Sequence, residues 1–184
     1  ATPWSTFCLA VGLATLFRRS ALFNPEGVGL RLGPGVHEVD IVSGCFLLVA
    51  RASWEQLGGF DPGFFMYGED ADLCLRARAL GLPSRVTSEA VVVHHGGASE
   101  RGLAAKQTKL LAAKRRLMSL HWGRRRARLG AWLLTGHVLA RAAGFALLAG
   151  VRPGRFGERA DAWRTIWRER HAWLRSEPAQ ARPA

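Results

Sequence analysis

Three carboxylates crowd one short stretch of this 184-residue chain: Glu69, Asp70 and Asp72. They stand where an aromatic loop, FDPGFFMYG (60–68), gives way to a helical pattern, EDADLCLRARALG (69–81). A carboxylate fixed at a loop-to-helix junction can accept a proton from a substrate hydroxyl. Positions 69 and 72 are three apart and share a helical face, whereas 70 points elsewhere. The plainer reading of the same residues is an acidic first turn that steadies an ordinary helix through its dipole. Two further positions invite chemistry. His94 and His95 close a β-branched run, and side chains alternate along a strand, so one of them can face a cleft. Gly96 and Gly97 follow and permit close approach of a ligand to the backbone. Gly44 interrupts an apolar run, as a bulge or a close contact would require.

These residues need elements to hold them. VDIVSGCFLLVAR (39–51) is apolar and bounded by turn residues, which predicts a buried strand broken near Ser43-Gly44. ASWEQLGG (52–59) predicts a short helix closed by glycine. Leu73, Ala77 and Leu80 align on one face of the 69–81 helix, and Gly81 is placed to cap it. Pro83 breaks the chain, and EAVVVHH (89–95) predicts a short strand. Upstream, residues 4–18 predict an apolar helix, followed by a turn-rich stretch through Gly33-Pro34-Gly35. Downstream the pattern is helical: an amphipathic helix over 103–122, an RRRAR cluster at 124–128, an apolar run over 129–151 and an Arg/Trp-rich helix over 156–175.

Charge divides the chain near the same point. Residues 1–99 carry 7 basic and 9 acidic groups, a net of −2; residues 100–184 carry 19 and 5, a net of +14. The second part therefore suits an anionic partner. Nearly half the residues are apolar, which excludes a disordered chain. The three cysteines, Cys8, Cys45 and Cys74, are odd in number and lack metal-ligand spacing, so they read as buried thiols in a reducing compartment.

The order SG, R, GGFD, FF, Y, ED, DL, R, G, then V, H, G and S over residues 40–99 resembles the second half of the catalytic domain of family 2 glycosyltransferases. Rhamnosyltransferase-like members that build bacterial polysaccharides are the nearest in pattern. The resemblance implies an α/β chain: a partial GT-A domain over 1–99, then a mainly helical basic tail over 100–184. It implies an inverting transfer of sugar from a nucleotide-sugar donor to a hydroxyl on a glycan or lipid-linked acceptor. On matching residues, Asp70 would be the general base, Glu69 would hold the acceptor and Gly44 would lie beside donor and acceptor. His94 would help hold a divalent cation, Mg2+ or Mn2+, at the diphosphate. Asp72 and Arg76 also match the pattern, as substrate contacts or as stabilisers of the helix. The family's DxD motif and nucleotide-binding strand do not occur before Asp40, so the chain reads as truncated and unable to transfer sugar alone.

The 129–151 run is long enough to span a bilayer, but Arg141 near its centre costs roughly 2.5–3.5 kcal/mol there. A helix lying in the interface or packed on the protein is the expectation. With the surrounding Arg and Trp, this implies peripheral attachment to an anionic membrane from the cytoplasmic side. The competing reading is a non-catalytic module that grips membrane or nucleic acid with the basic tail. No motif that reads DNA or RNA supports the nucleic-acid half of it.

Overall fold

The computed structural model describes residues 2–26, 33–95 and 102–175. It divides into two compact units, one built from 2–26 with 102–175 and the other from 33–95. The described residues are mostly helical, with one two-stranded sheet among them.

In the helical unit, Thr2 caps helix α1 (Pro3–Ala10): its hydroxyl accepts from the Ser5 amide while the Ser5 hydroxyl accepts from the Thr2 amide, and Pro3 starts the helix. The single helix expected over 4–18 is interrupted, because Gly12 adopts φ 83° before α2 (Leu13–Leu16). Four helices follow: α5 (Leu103–His121), α6 (Arg124–Val151), α7 (Pro153–Arg168) and α8 (Arg170–Leu174). The basic cluster at 124–128 is thus the first turn of α6 rather than a separate segment. Pro153 begins α7, where its missing N–H costs nothing.

The core of this unit joins Leu111 and Met118 of α5, Leu134 and Val138 of α6, and Trp163 and Ile166 of α7, with Trp173 of α8. Burying each such side chain stabilises by about 1.5–3 kcal/mol. The Trp173 indole is fully buried and donates to the Ile166 carbonyl at 3.2 Å. Where α5 and α6 meet, a Cβ on Gly130 would lie 2.6 Å from Met118 Sδ and 2.9 Å from Trp122 Cζ3. Glycine is what permits this approach. α1 packs along α6, and polar bonds tie α6 to α1 and to α2. His137 Nδ1 donates to the Leu9 carbonyl at 3.0 Å, and Arg141 donates to Thr15 Oγ1 at 2.6 Å. α1 and α2 thus cluster in one compact unit with the helices that follow residue 102.

The second unit contains β1 (Val36–Val39), α3 (Arg51–Leu57), α4 (Glu69–Ala79) and β2 (Ser84–Thr87). The strands pair antiparallel, Val36 opposite Thr87 and Val39 opposite Ser84. Here the strand expectations need correction. The apolar run over 39–51 contributes only its first residue to β1, and 41–50 has no regular structure. EAVVVHH is not a strand either; the strand lies just before it, at 84–87. The reason is pairing. Strands need neighbours, and among the described residues only β1 and β2 find each other. Side chains expected in a core are consequently at the surface: Leu48 is 90% exposed, Phe46 64% and Val91 88%. Cys45 is exposed with them, whereas Cys8 and Cys74 are buried as expected.

Helix expectations fare better in this unit. α3 ends at Gly58, φ 70°, as the glycine pair predicted. α4 starts at Glu69 and closes with the Leu82 amide on the Ala77 carbonyl and Gly81 at φ 75°, a left-handed glycine stop.

Candidate functional site

The carboxylates are placed by an unusual backbone. Tyr67 has φ 68° and Gly68 has φ 86°, so two successive residues are left-handed immediately before α4. Glycine takes this conformation freely, but for tyrosine it costs about 1–2 kcal/mol. The preceding aromatic loop is pinned by Asp61, whose Oδ1 accepts from the Gly63 amide at 2.8 Å and whose carbonyl accepts from the Phe64 amide. Phe64 turns into the core, and Phe65 turns outward, 87% exposed. The loop therefore delivers the chain to Glu69 in one fixed direction.

Asp70 is half-buried. Its Oδ2 accepts from the Gly44 amide at 2.9 Å, across 26 positions of sequence, and its Oδ1 accepts from the Ala71 amide at 2.7 Å. One N–H on each oxygen fixes the plane of the carboxyl group and leaves each oxygen a further lone pair. A Cβ on Gly44 would lie 3.4 Å from Asp70 Cβ and 3.6 Å from Oδ2, so glycine keeps the space beside that oxygen open. The structure thus joins two of the residues that the sequence singled out separately. Glu69 stands next to them. Its Oε2 is buried and, among the described residues, has no hydrogen-bond partner.

Asp72 and Arg76 form a different arrangement. The Asp72 side chain is fully buried, and Arg76 Nε donates to its Oδ2 at 2.8 Å, one turn along α4. Arg76 Nη1 donates to the Leu57 carbonyl at 2.6 Å and Nη2 to the Gly59 carbonyl at 2.8 Å. The guanidinium thereby ties α4 to the end of α3 and to the Gly58-Gly59 turn. Gly59 is left-handed at φ 68°, with the Trp54 indole 2.9 Å from where a Cβ would be. Of the two roles the sequence left open for Asp72 and Arg76, this geometry is that of a brace.

His94 and His95 are exposed, in a segment without regular structure. Gly96 and Gly97 lie outside the described residues. Among the described residues, no group of three or more His, Cys, Asp or Glu side chains is close enough to hold a metal ion. The side chains described here therefore do not fit a cation site on their own. Sequence reasoning missed the Tyr67 conformation, for which a non-glycine residue gives no signal, and the Arg76 contacts with carbonyls 17 and 19 positions away.

Comparison with known proteins finds similarity over about a third of the chain. An N-acetylglucosaminyl-diphospho-decaprenol L-rhamnosyltransferase of Mycobacterium tuberculosis is 45% identical over 65 residues, which are 35% of this chain and 21% of that protein. Rhamnosyltransferase WbbL of Escherichia coli is 35% identical over 68 residues, 37% of this chain and 26% of that protein. The O-antigen biosynthesis protein RfbC of Myxococcus xanthus is 40% identical over 63 residues, 34% of this chain and 5% of that protein. The chain thus covers about a quarter or less of these relatives' length. No family model and no solved structure matches it.

Proposed function

We propose that residues 33–95 are the acceptor side of an inverting, family 2-like glycosyltransferase of GT-A type. It would transfer a sugar, in the manner of the rhamnosyltransferases it resembles, from a nucleotide-sugar donor to a hydroxyl of a glycan or lipid-linked acceptor. The observation that carries this reading is the carboxylate of Asp70, held by the Gly44 and Ala71 amides beside Glu69.

In this mechanism the acceptor hydroxyl donates to Asp70, and Glu69 beside it helps hold the acceptor. Asp70 takes the proton as the acceptor oxygen bonds to the anomeric carbon. The bond from that carbon to the nucleoside diphosphate breaks on the opposite face, so the configuration inverts. Fixing the carboxyl plane beforehand lowers the cost of reaching this geometry. The Arg76–Asp72 brace acts at one remove, by holding α4 against the α3 turn. If a divalent cation assists at the donor diphosphate, His94 is the residue of this segment that the resemblance assigns to it, and the described side chains would not hold the ion by themselves. The chemistry supplied by 33–95 is proton transfer and acceptor orientation.

The test is a transfer assay on the intact gene product, with nucleotide-activated deoxyhexoses as donors and a polyprenyl-diphospho-sugar as acceptor. The expected product is a disaccharide-lipid whose new linkage is inverted relative to the donor. The 184-residue chain by itself is expected to give none. Robust turnover by that chain alone would contradict the proposed division of labour, and a retained configuration would contradict the mechanism.

A further inference from the structure

The helical unit carries a surface that water does not suit. α6 has 28 residues and is about 42 Å long. It is long and apolar enough to cross a membrane, yet only 17% of its most apolar window is buried. Every exposed residue from 129 to 151 is apolar or glycine. The large ones are Leu129, Trp132, Leu139, Leu147, Leu148 and Val151, and Trp132, Leu147 and Val151 are each at least three-quarters exposed. Their spacing keeps them on one side for about 33 Å. Isolated exposed leucines are ordinary, but a continuous stripe of this length is not.

The polar groups of the same helix are directed elsewhere. His137 is buried and bonded to the Leu9 carbonyl, and Arg141 reaches Thr15, so the one charge between 129 and 151 is held by α2. Charges bracket the stripe instead. Arg124, Arg125, Arg126 and Arg128 are exposed at its start, and Arg152 and Arg155 at its end. The neighbouring helix α7 presents the opposite character, with Glu158, Arg159, Asp161, Arg164 and Arg168 exposed. A protein partner would have to match an apolar strip closed at both ends by arginines. The surface of an anionic bilayer offers both features, acyl chains below and phosphates at the level of the guanidinium groups.

We propose that the helical unit binds an anionic lipid bilayer with α6 lying in the membrane plane, its Leu129–Val151 stripe sunk among the acyl chains and its terminal arginines on lipid phosphates. A membrane-spanning α6 is disfavoured by its own packing: it would carry buried His137 and Arg141 into hydrocarbon together with the charged face of α7. Membrane binding of this kind does not depend on the carboxylates at 69–72, so it stands or falls separately from sugar transfer.

Flotation of the chain with vesicles tests it. Phosphatidylcholine vesicles containing phosphatidylglycerol are expected to carry the chain, and pure phosphatidylcholine vesicles to carry much less. Raising salt should weaken the anionic component. Leu139→Glu and Leu147→Glu should each lower vesicle partition about tenfold or more. Arg125→Gln and Arg128→Gln should lower it about fivefold each on anionic vesicles only. All four positions are exposed, and far-ultraviolet circular dichroism should show helix content retained. A chain that stays with the soluble fraction at both lipid compositions would overturn the proposal. So would leucine variants that float like the parent, or a stable dimer that dissociates on Leu147→Glu, which would make a second copy the occupant of the stripe.

Discussion

Replacing Arg76 by methionine isolates the brace behind the candidate site. The change removes three donors at once: Nε from Asp72 Oδ2, Nη1 from the Leu57 carbonyl and Nη2 from the Gly59 carbonyl. Two of the freed acceptors are main-chain carbonyls, and the fully buried Asp72 loses the Arg76 guanidinium that pairs with it one turn along α4. Breaking one side of such a pair costs about 3–5 kcal/mol, because the remaining charge stays desolvated. Arg78 provides the contrast within the same helix. It pairs with Asp40, but both side chains are more than half exposed, and a pair of that kind is worth less than about 1 kcal/mol. Hydrogen exchange of the amides over Glu69–Ala79 reads the difference locally. Arg76→Met should speed their exchange by about 10²–10⁴-fold, and Arg78→Met by less than about fivefold. Adding Asp72→Leu to Arg76→Met should recover much of the loss, since an apolar pair of similar volume needs no compensation. Equal, small effects of Arg76→Met and Arg78→Met would refute the assignment of a buried brace.

Other outcomes follow from the helical unit. Gly130→Ala should destabilise it by about 1 kcal/mol or more by driving a methyl into Met118 and Trp122, whereas Gly136→Ala, with nothing within 4 Å, should stabilise it by about 0.5–1 kcal/mol; paired thermal melts distinguish the two. Burial pushes the His137 imidazole down from 6.5 to about 4, with the Arg141 charge adding to the effect and the Leu9 carbonyl opposing it. The unfolded chain then takes up a proton that the folded one refuses, so stability is full above pH 6.5, falls by up to about 3 kcal/mol as pH drops to 4, and levels off below. Chemical denaturation at pH 7 and pH 4.5 should show that fall in the parent and a smaller one in His137→Gln.

The helices were legible because their signals are local. Glycine at 58 and 81 and the apolar spacing over 103–122 each act within a turn or two of chain. The strands were not, because a strand is defined by its neighbour: VDIVSGCFLLVAR (39–51) has the composition of a buried strand, yet among the described residues only its Val39 pairs with another strand. At the site, the sequence marked Asp70, Glu69 and Gly44 by type and position. It could not show that the Gly44 amide holds the Asp70 carboxylate, a contact between residues 26 apart. Nor could residue types separate Asp70 from Asp72. Only burial and the reach of Arg76 distinguish a half-buried carboxylate from a framework one.

The role assigned to Asp70 is tested most directly by the turnover number of Asp70→Asn in the intact gene product. Asparagine keeps the shape and an oxygen for one amide but cannot take a proton from an alcohol. The mechanism requires kcat to fall by about 10²–10⁴-fold, with amide exchange over α4 close to that of the parent. A variant that retains kcat within a few-fold of the parent would contradict the assignment of Asp70 as the base.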